Sequence, residues 1–346
     1  MLTAEGCRGR ITRFLDRLRP TEPILLGDPL HLCYFANAYW DPFSLGADFG
    51  GALLIRPDGH TTLLYDSRAP KLVDAAFADE REITKWYNGQ TPGRGTRRLI
   101  GQTSPTASAE VYSIIDELRR SKDPDELALL RRCMRVTEAG QAWARANVRP
   151  GMTELDVYAG IAAECTKAAG HPVIVYGDFA VSPGSAKRGG MATNHIIRAG
   201  EMLILDFSVV IQGYRSDFTN TLVVDSEPTA DQRQLFDWCT AAMAAGEAEL
   251  KAGTACQTVY DAVRGVFEQA GVADSFPHHA GHGLGLSHPE APFIVRQSTE
   301  TLVEGDVVTL EPGLYVDGVG GIRIEHNYAI TATGYERLSD HLIALR

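Results

Sequence analysis

Asp206 and Asp217 each interrupt an apolar, strand-like run, L-I-L-D-F-S-V-V-I for the first and S-D-F-T-N-T-L-V-V for the second. A turn centred near position 211.5, just before Gly213, would set them opposite each other. Glu311 and Glu325 repeat the relation in V-V-T-L-E-P-G-L-Y and G-G-I-R-I-E, seven residues either side of Gly318. Like charges opposed across a strand pair are destabilising. A carboxylate among leucines and isoleucines also carries a desolvation cost unless it is paired or bound to a cation. Four such carboxylates in two matched pairs require compensation, which a pair of divalent cations supplies most simply. A nitrogen ligand is available too: the run from His278 through His279, His282 and His288 holds four histidines among glycines that permit close backbone approach. Carboxylates plus an imidazole suit Mn²⁺, Co²⁺, Fe²⁺ or Zn²⁺ better than a thiolate-seeking metal. Two such ions a few ångströms apart can ionise a shared water and clamp a developing oxyanion, so amide hydrolysis is the natural chemistry.

The elements that must hold these groups repeat. P-G-M-T-E-L-D-V-Y runs on to Gly170 and A-G-T-A-C-Q-T-V-Y to Gly271, with Gly151 and Gly253 each seven residues ahead of a tyrosine. Each segment predicts a helix opened by a threonine N-cap, Thr153 or Thr254, with Asp156 or Gln257 three residues on, and closed by glycine. Two helices followed by strands, used twice, predict an α+β domain duplicated about a pseudo-twofold axis. The period of about 100 residues is too long for a solenoid. The axis would bring the two carboxylate pairs together. The N-terminal third reads as α/β: residues 52–55 and 61–65 are strand-like around the turn Pro57-Asp58-Gly59, and Val111, Ile114, Ile115 and Leu118 share one helical face. Ser121-Lys122-Asp123-Pro124 separates the two parts, giving domains of 1–120 and 121–346 with a helix from about Pro124 towards Val148.

A length of 346 residues accommodates two such domains. With 33 Lys plus Arg against 44 Asp plus Glu, the net charge of −11 offers nucleic acid no electrostatic footprint and makes an anionic membrane surface a poor partner. No apolar run has spanning length, and M-L-T-A-E-G-C-R-G-R lacks a signal-peptide core, so a cytoplasmic protein is expected. The six cysteines are scattered without a C-x-x-C pair, which reads as reduced thiols rather than a disulfide scaffold or zinc site. Residues 37–43 form an aromatic stretch, and 93–98 read as a solvated basic loop.

The order D…D…H-G-x-G…E-P-G-L-Y…R-I-E resembles the pita-bread metallopeptidases, the group of methionine aminopeptidase, aminopeptidase P and prolidase, over nearly the whole chain. The resemblance implies a creatinase-like α/β N-terminal domain, then a duplicated α+β pita-bread catalytic domain opening at K-D-P-D-E. It implies that Asp206, Asp217, His282, Glu311 and Glu325 bind two divalent metal ions, manganese first, with cobalt, zinc or iron as alternatives. Glu325 would bridge them, Asp217 would bridge or chelate, and Glu311 would also handle the proton of the attacking, metal-bridging hydroxide. Arg323 would fix a ligating carboxylate, and Tyr315 and Thr309 would line the metal site. The family resemblance also implies a small Xaa-Pro peptide as substrate and a homodimer.

Two departures stand out. Where many members read L-x-V-H-E-x-P, this chain reads L-S-H-P-E-A-P, so His288 comes one position early; on a strand, that shift would turn its side chain to the other face. Where the family has a P-H motif ahead of the first aspartate, Gly189 to Met191 stand near that place and His195 lies close to the following strand. His278, four residues before His282, matches a substrate-pocket histidine of aminopeptidase P, so His278 or His288 would supply the group that polarises the scissile carbonyl. The expected reaction is hydrolysis of the Xaa-Pro bond in a dipeptide or at a peptide N-terminus. A non-peptide amide or small metabolite acted on by the same metals is the alternative that the altered histidines favour. A non-catalytic pita-bread binding module is the third, and the retained ligand set weighs against it.

Overall fold

Turn chemistry and alternation build the first sheet where the sequence puts it: β2 (Gly51–Ile55) and β3 (Thr61–Asp66) pair antiparallel across the Pro57-Asp58-Gly59 turn. The computed structural model describes residues 1–39, 51–66, 74–84 and 108–346, so Trp40 to Phe43 of the aromatic stretch and the basic loop 93–98 lie outside the described residues. These residues divide into one unit of Met1–Arg119 with Asp123–Leu129 and another of Arg120–Lys122 with Leu130–Arg346. In the first unit the sheet order is β1 (Ile24–Leu26), β2, β3, β4 (Glu80–Thr84), antiparallel except for the parallel β3–β4 pair. The helix Ala4–Leu18 starts at Thr3, whose hydroxyl accepts from Gly6 N–H. Its Arg10 is fully buried and donates to Tyr34 O and to the carboxylates of Asp123 and Asp125. The helix Ala109–Arg120 buries Val111 and Ile115 as its period requires.

From Pro124 onward, in a stretch whose residues from Leu130 belong to the second unit, a pattern of two helices and a sheet occurs twice. The helices Pro124–Asn147 and Glu154–Ala169 lead to β5 (Ile174–Val181), β6 (Met202–Ile211), β7 (Tyr214–Arg215) and β8 (Phe218–Val223), with β6 pairing antiparallel to the other three. The helices Ala230–Glu247 and Cys256–Gln269 lead to β9 (Gly281–Gly283), β10 (Glu290–Ile294), β11 (Val307–Leu310), the hairpin β12 (Gly313–Val316) and β13 (Gly320–Arg323), then β14 (His326–Ile330) and β15 (Tyr335–Arg337). The second sheet runs β10-β9-β11-β14-β15. Isolated bridges Thr153↔Ile196 and Ala255↔Thr301 mark matching helix starts in the two halves. Thr153 and Asp156 form the expected capping box, but the second helix starts at Ala255 with no side-chain cap, so Thr254 is not its N-cap. Superposing Gly253 on Gly151 explains the correction, because Ala255 then falls on Thr153. All six cysteines are buried and none forms a disulfide. Among the described residues no helix is long and apolar enough to cross a membrane.

Candidate metal centre

The two carboxylate pairs reach one place by different local routes. β11–β14 and β12–β13 keep a single register about Gly318, with Leu310 opposite His326 and Gly313 opposite Arg323, so Glu311 and Glu325 face each other at the join of the two ladders. There the ladder opens: Glu311 N–H donates to Ala280 O, and Glu325 N–H donates to Thr219 O on β8. The first pair departs from expectation. β6 turns into β7 through Gln212 and Gly213, both at positive φ, so Asp206 lies opposite Thr219 rather than Asp217. A slip of two residues preserves the face of a strand, so both aspartates still point to the same side.

Asp206, Asp217 and Glu325 bring carboxylate oxygens within 4.8 Å of one another, as do donor atoms of Asp217, His282 and His288, and of His278, His279 and Glu311. His282 Nε2 lies 3.5 Å from Asp217 Oδ2 and 3.4 Å from Glu311 Oε1. Its Nδ1 contacts Gly283 O at 3.0 Å, and because a carbonyl only accepts, Nδ1 carries the proton and Nε2 presents a lone pair. The glycines beside His282 are needed for this approach: a Cβ at Gly281 would sit 2.0 Å from Thr309 O, and one at Gly283 would sit 2.1 Å from Ala291 O. Thr309 Oγ1 accepts from His282 N–H at 3.2 Å and donates towards Glu311 Oε1 at 3.4 Å.

β8 supplies a further brace through its alternation. Thr219 Oγ1 donates to Glu325 Oε2 at 2.8 Å, and two residues on Thr221 Oγ1 donates to Arg323 O. Asn327 grips the backbone of Asp217 by accepting from its N–H and donating to its carbonyl. Arg323 donates from Nε to Asp206 at 2.8 Å, from one terminal nitrogen to Asp178 at 2.6 Å and from the other to Tyr315 OH at 2.8 Å. Tyr315 OH in turn lies 3.2 Å from His278 Nε2, while His278 Nδ1 contacts His279 O at 2.8 Å. Nδ1 is therefore the donor and Nε2 the acceptor, and both nitrogens of His278 are engaged.

The electrostatics are those of a site built around positive charge. Burial raises the Asp206 carboxyl to about 7 against the charge of Arg323, with Asp217, Asp178 and Glu311 adding to the rise. Burial and the neighbouring Asp217, Asp206 and Glu311 push Glu325 well above the ordinary glutamate range. Burial alone would raise Glu311 as well, but His279, His282 and His278 outweigh it and hold the carboxyl far below its usual value. Burial pulls His278 down to about 4, whereas for His288 the hydrogen bond to Asp217 overcomes burial and raises it. Glu325 Oε1 is buried, with no hydrogen-bond partner among the described residues. Such an atom beside two more carboxylates and a neutral imidazole lone pair fits divalent cations, and Asp206, Asp217, His282, Glu311 and Glu325 are the side chains that would hold them.

A stability prediction follows for the metal-free protein. A carboxyl raised in the folded state contributes stability at low pH and loses it as pH rises. Glu325→Gln should therefore raise the melting temperature of metal-free protein at pH 8, by about 2–4 °C per kcal/mol relieved. The gap should close as the pH falls towards the ordinary glutamate value of 4.5. A scanning-calorimetry gap that is absent, or that widens on acidification, contradicts the electrostatic account.

The histidines sort unequally. His288 precedes β10 in irregular chain, where strand alternation does not apply, and its Nε2 reaches Asp217 Oδ2 at 2.6 Å. His195 turns away to Glu201 at 3.0 Å and does not line the cavity of about 580 Å³ that contains Asp206, Asp217, His282 and Glu311. That cavity is also lined by His279 of the four-histidine run and by Tyr176 and Asp178, which the sequence reading did not single out. His279 Nδ1 lies 3.2 Å from Glu311 Oε1 without an aligned hydrogen bond.

The family model described as Metallopeptidase family M24 matches residues 128–332. An uncharacterized peptidase of Staphylococcus aureus is 27% identical over 360 residues, covering 96% of this chain and 99% of the relative. The Xaa-Pro dipeptidase of Pyrococcus furiosus is 26% identical over 355 residues, 95% of this chain and 96% of the relative. Among solved structures, the Xaa-Pro dipeptidase from Bacillus anthracis matches with a TM-score of 0.79 at 24% identity, covering 99% of both chains. These likenesses bear out the expected fold, an α/β creatinase-like N-terminal domain followed by a duplicated α+β pita-bread domain.

Proposed function

The chain belongs to metallopeptidase family M24, and from that premise we propose that it hydrolyses the bond preceding proline, in dipeptides or at peptide N-termini, at two divalent ions. The observation that carries this reading is the convergence of Asp206, Asp217, His282, Glu311 and Glu325, with Glu325 Oε1 buried and unpartnered. Full-length similarity to a protein named Xaa-Pro dipeptidase supports the substrate class. Manganese ions, or cobalt, zinc or iron in their place, would acidify water and polarise the scissile carbonyl there. The chain's own groups do the rest. Glu311 takes the proton of the attacking water and passes it to the departing proline nitrogen. Arg323 orients Asp206 and Tyr315. The cytoplasmic location expected from the sequence and the homodimer implied by the family resemblance are retained in this proposal.

Of the two candidate histidines, His278 has both nitrogens engaged, whereas His288 meets Asp217 through Nε2, so His288 is the one assigned to the carbonyl oxygen. His288→Ala should lower kcat by about 10²-fold, the scale of losing one oxyanion donor. An unchanged kcat assigns the role elsewhere.

The substrate is tested by incubating Mn²⁺-reconstituted protein with Xaa-Pro dipeptides, Xaa-Pro-Xaa tripeptides and a non-peptide amide. Release of proline or of the N-terminal residue is expected. Cleavage of the non-peptide amide alone would replace this reading with the other one that the missing P-H histidine favours.

A further inference from the structure

We propose that Glu290, held by Lys122, is a positioning residue that sets the His288 ring at the metal centre; this rests on the peptidase reading above, in which His288 serves the carbonyl oxygen. Lys122 opens the K-D-P-D-E segment, and Glu290 follows His288 and Pro289 in L-S-H-P-E-A-P. Both belong to the second unit, and neither is among the residues lining the metal cavity. Lys122 Nζ donates to Glu290 Oε1 at 2.7 Å, with the two side chains only 1% and 10% exposed. A pair this enclosed is not the surface ion pair that contributes little. The other carboxylate oxygen, Oε2, accepts from Ser287 N–H at 3.1 Å. One carboxylate thus ties the residue before His288 to the residue two places after it, and the histidine lies inside that closed turn.

The rest of the loop is built around the pair. A Cβ at Gly285 would lie 2.5 Å from Glu290 Oε1 and 3.0 Å from Lys122 Cε, so glycine at this position lets the pair close. Lys122 is itself anchored, its N–H donating to Gly305 O at 3.0 Å. Arg215 holds the earlier part of the loop: its N–H donates to Gly285 O at 3.2 Å and its guanidinium to Leu286 O at 2.9 Å. At Ser287 the Glu290 carboxylate takes over. His288 needs this frame because it lies in irregular chain, where no strand ladder fixes it. Its Nε2 then reaches Asp217 Oδ2 at 2.6 Å. Drift of about an ångström in a polarising group is enough to forfeit much of its effect. The buried charge pair therefore serves geometry at the reacting carbonyl, although neither charge touches it.

The test uses metal-reconstituted full-length protein and an Xaa-Pro dipeptide. The double variant Lys122→Met with Glu290→Leu replaces both buried charges by apolar groups of similar size, a change that folds commonly tolerate, and deletes the tether to Ser287. It should lower kcat by about tenfold or more with KM within about threefold and metal content unchanged. Lys122→Met with Glu290→Gln is equally uncharged but keeps an oxygen that can accept from Ser287 N–H, and should recover kcat to within about threefold of the wild type. In His288→Ala protein the leucine pair should cost less than about twofold more, because the group it misplaces is already gone. An unchanged kcat in the leucine pair, or the same loss with and without His288, overturns the proposal. Glu290→Ala alone carries the same expectations should the leucine pair fold poorly. The loop is also read without turnover, from the ring signals of isotope-labelled histidines in zinc-loaded protein. The His288 signal, identified by its loss in His288→Ala, should shift in the leucine pair and return in the glutamine pair, while that of His195, paired with Glu201, stays in place. Those shifts without cleavage of any Xaa-Pro peptide support the tether and defeat the peptidase reading alone. A His288 signal unmoved by the leucine pair, with cleavage intact, defeats the tether alone.

Discussion

Asp217→Ala is expected to abolish hydrolysis, by about 10³-fold or more, and to strip bound metal while leaving the fold intact. Of the three groups of donors at the site, Asp217 belongs to two, with Asp206 and Glu325 on one side and with His282 and His288 on the other. No other carboxylate is shared between those groups, so its removal damages both halves of the site. The fold should persist because Asn327 holds the main chain of residue 217, which alanine keeps. Removing one charge beside Glu325 also relieves repulsion in the metal-free state. Elemental analysis and turnover measured together check this, and an active, fully metallated variant would sink the ligand assignment.

The second large effect is on stability. Arg323→Leu should cost about 3–5 kcal/mol, because it leaves charge near the cavity without its partner. Asp178 and Asp206 both rely on this one guanidinium, and Tyr315 OH loses its donor as well. Arg323→Lys should recover only part of the loss, since an ammonium cannot span Asp206, Asp178, Tyr315 and the Arg188 carbonyl at once. Denaturant unfolding of the metal-free proteins measures the cost. A loss below about 1 kcal/mol, the range of a surface pair, would show that the cluster is solvated and not braced by Arg323.

Much of the site was legible because β-hairpins convert sequence spacing into position. Glu311 and Glu325 are symmetric about Gly318, and the observed register keeps that symmetry through two ladders. Asp206 and Asp217 were placed on the right face but two positions out of register, since Gln212 enters the turn at positive φ and glutamine gives no signal of it. Spacing alone did not choose among four histidines. The choice of His282 rests on resemblance, and its Nε2, 3.5 Å from Asp217 and 3.4 Å from Glu311 where that of His278 meets Tyr315 OH, gives the choice a physical basis. Asp178 was invisible because its importance arises only when β5 pairs with β6 and sets it opposite Asp206. Displacement of His288 mattered less than strand logic suggested, because the chain from Leu284 to Pro289 is irregular.

The most direct test strips the protein with chelator, returns Mn²⁺ in measured equivalents, and follows proline release from an Xaa-Pro dipeptide alongside metal bound per chain. The five-ligand site predicts no release from stripped protein and activity that saturates at two ions per chain. Release without metal, or none from protein holding two ions, would contradict it.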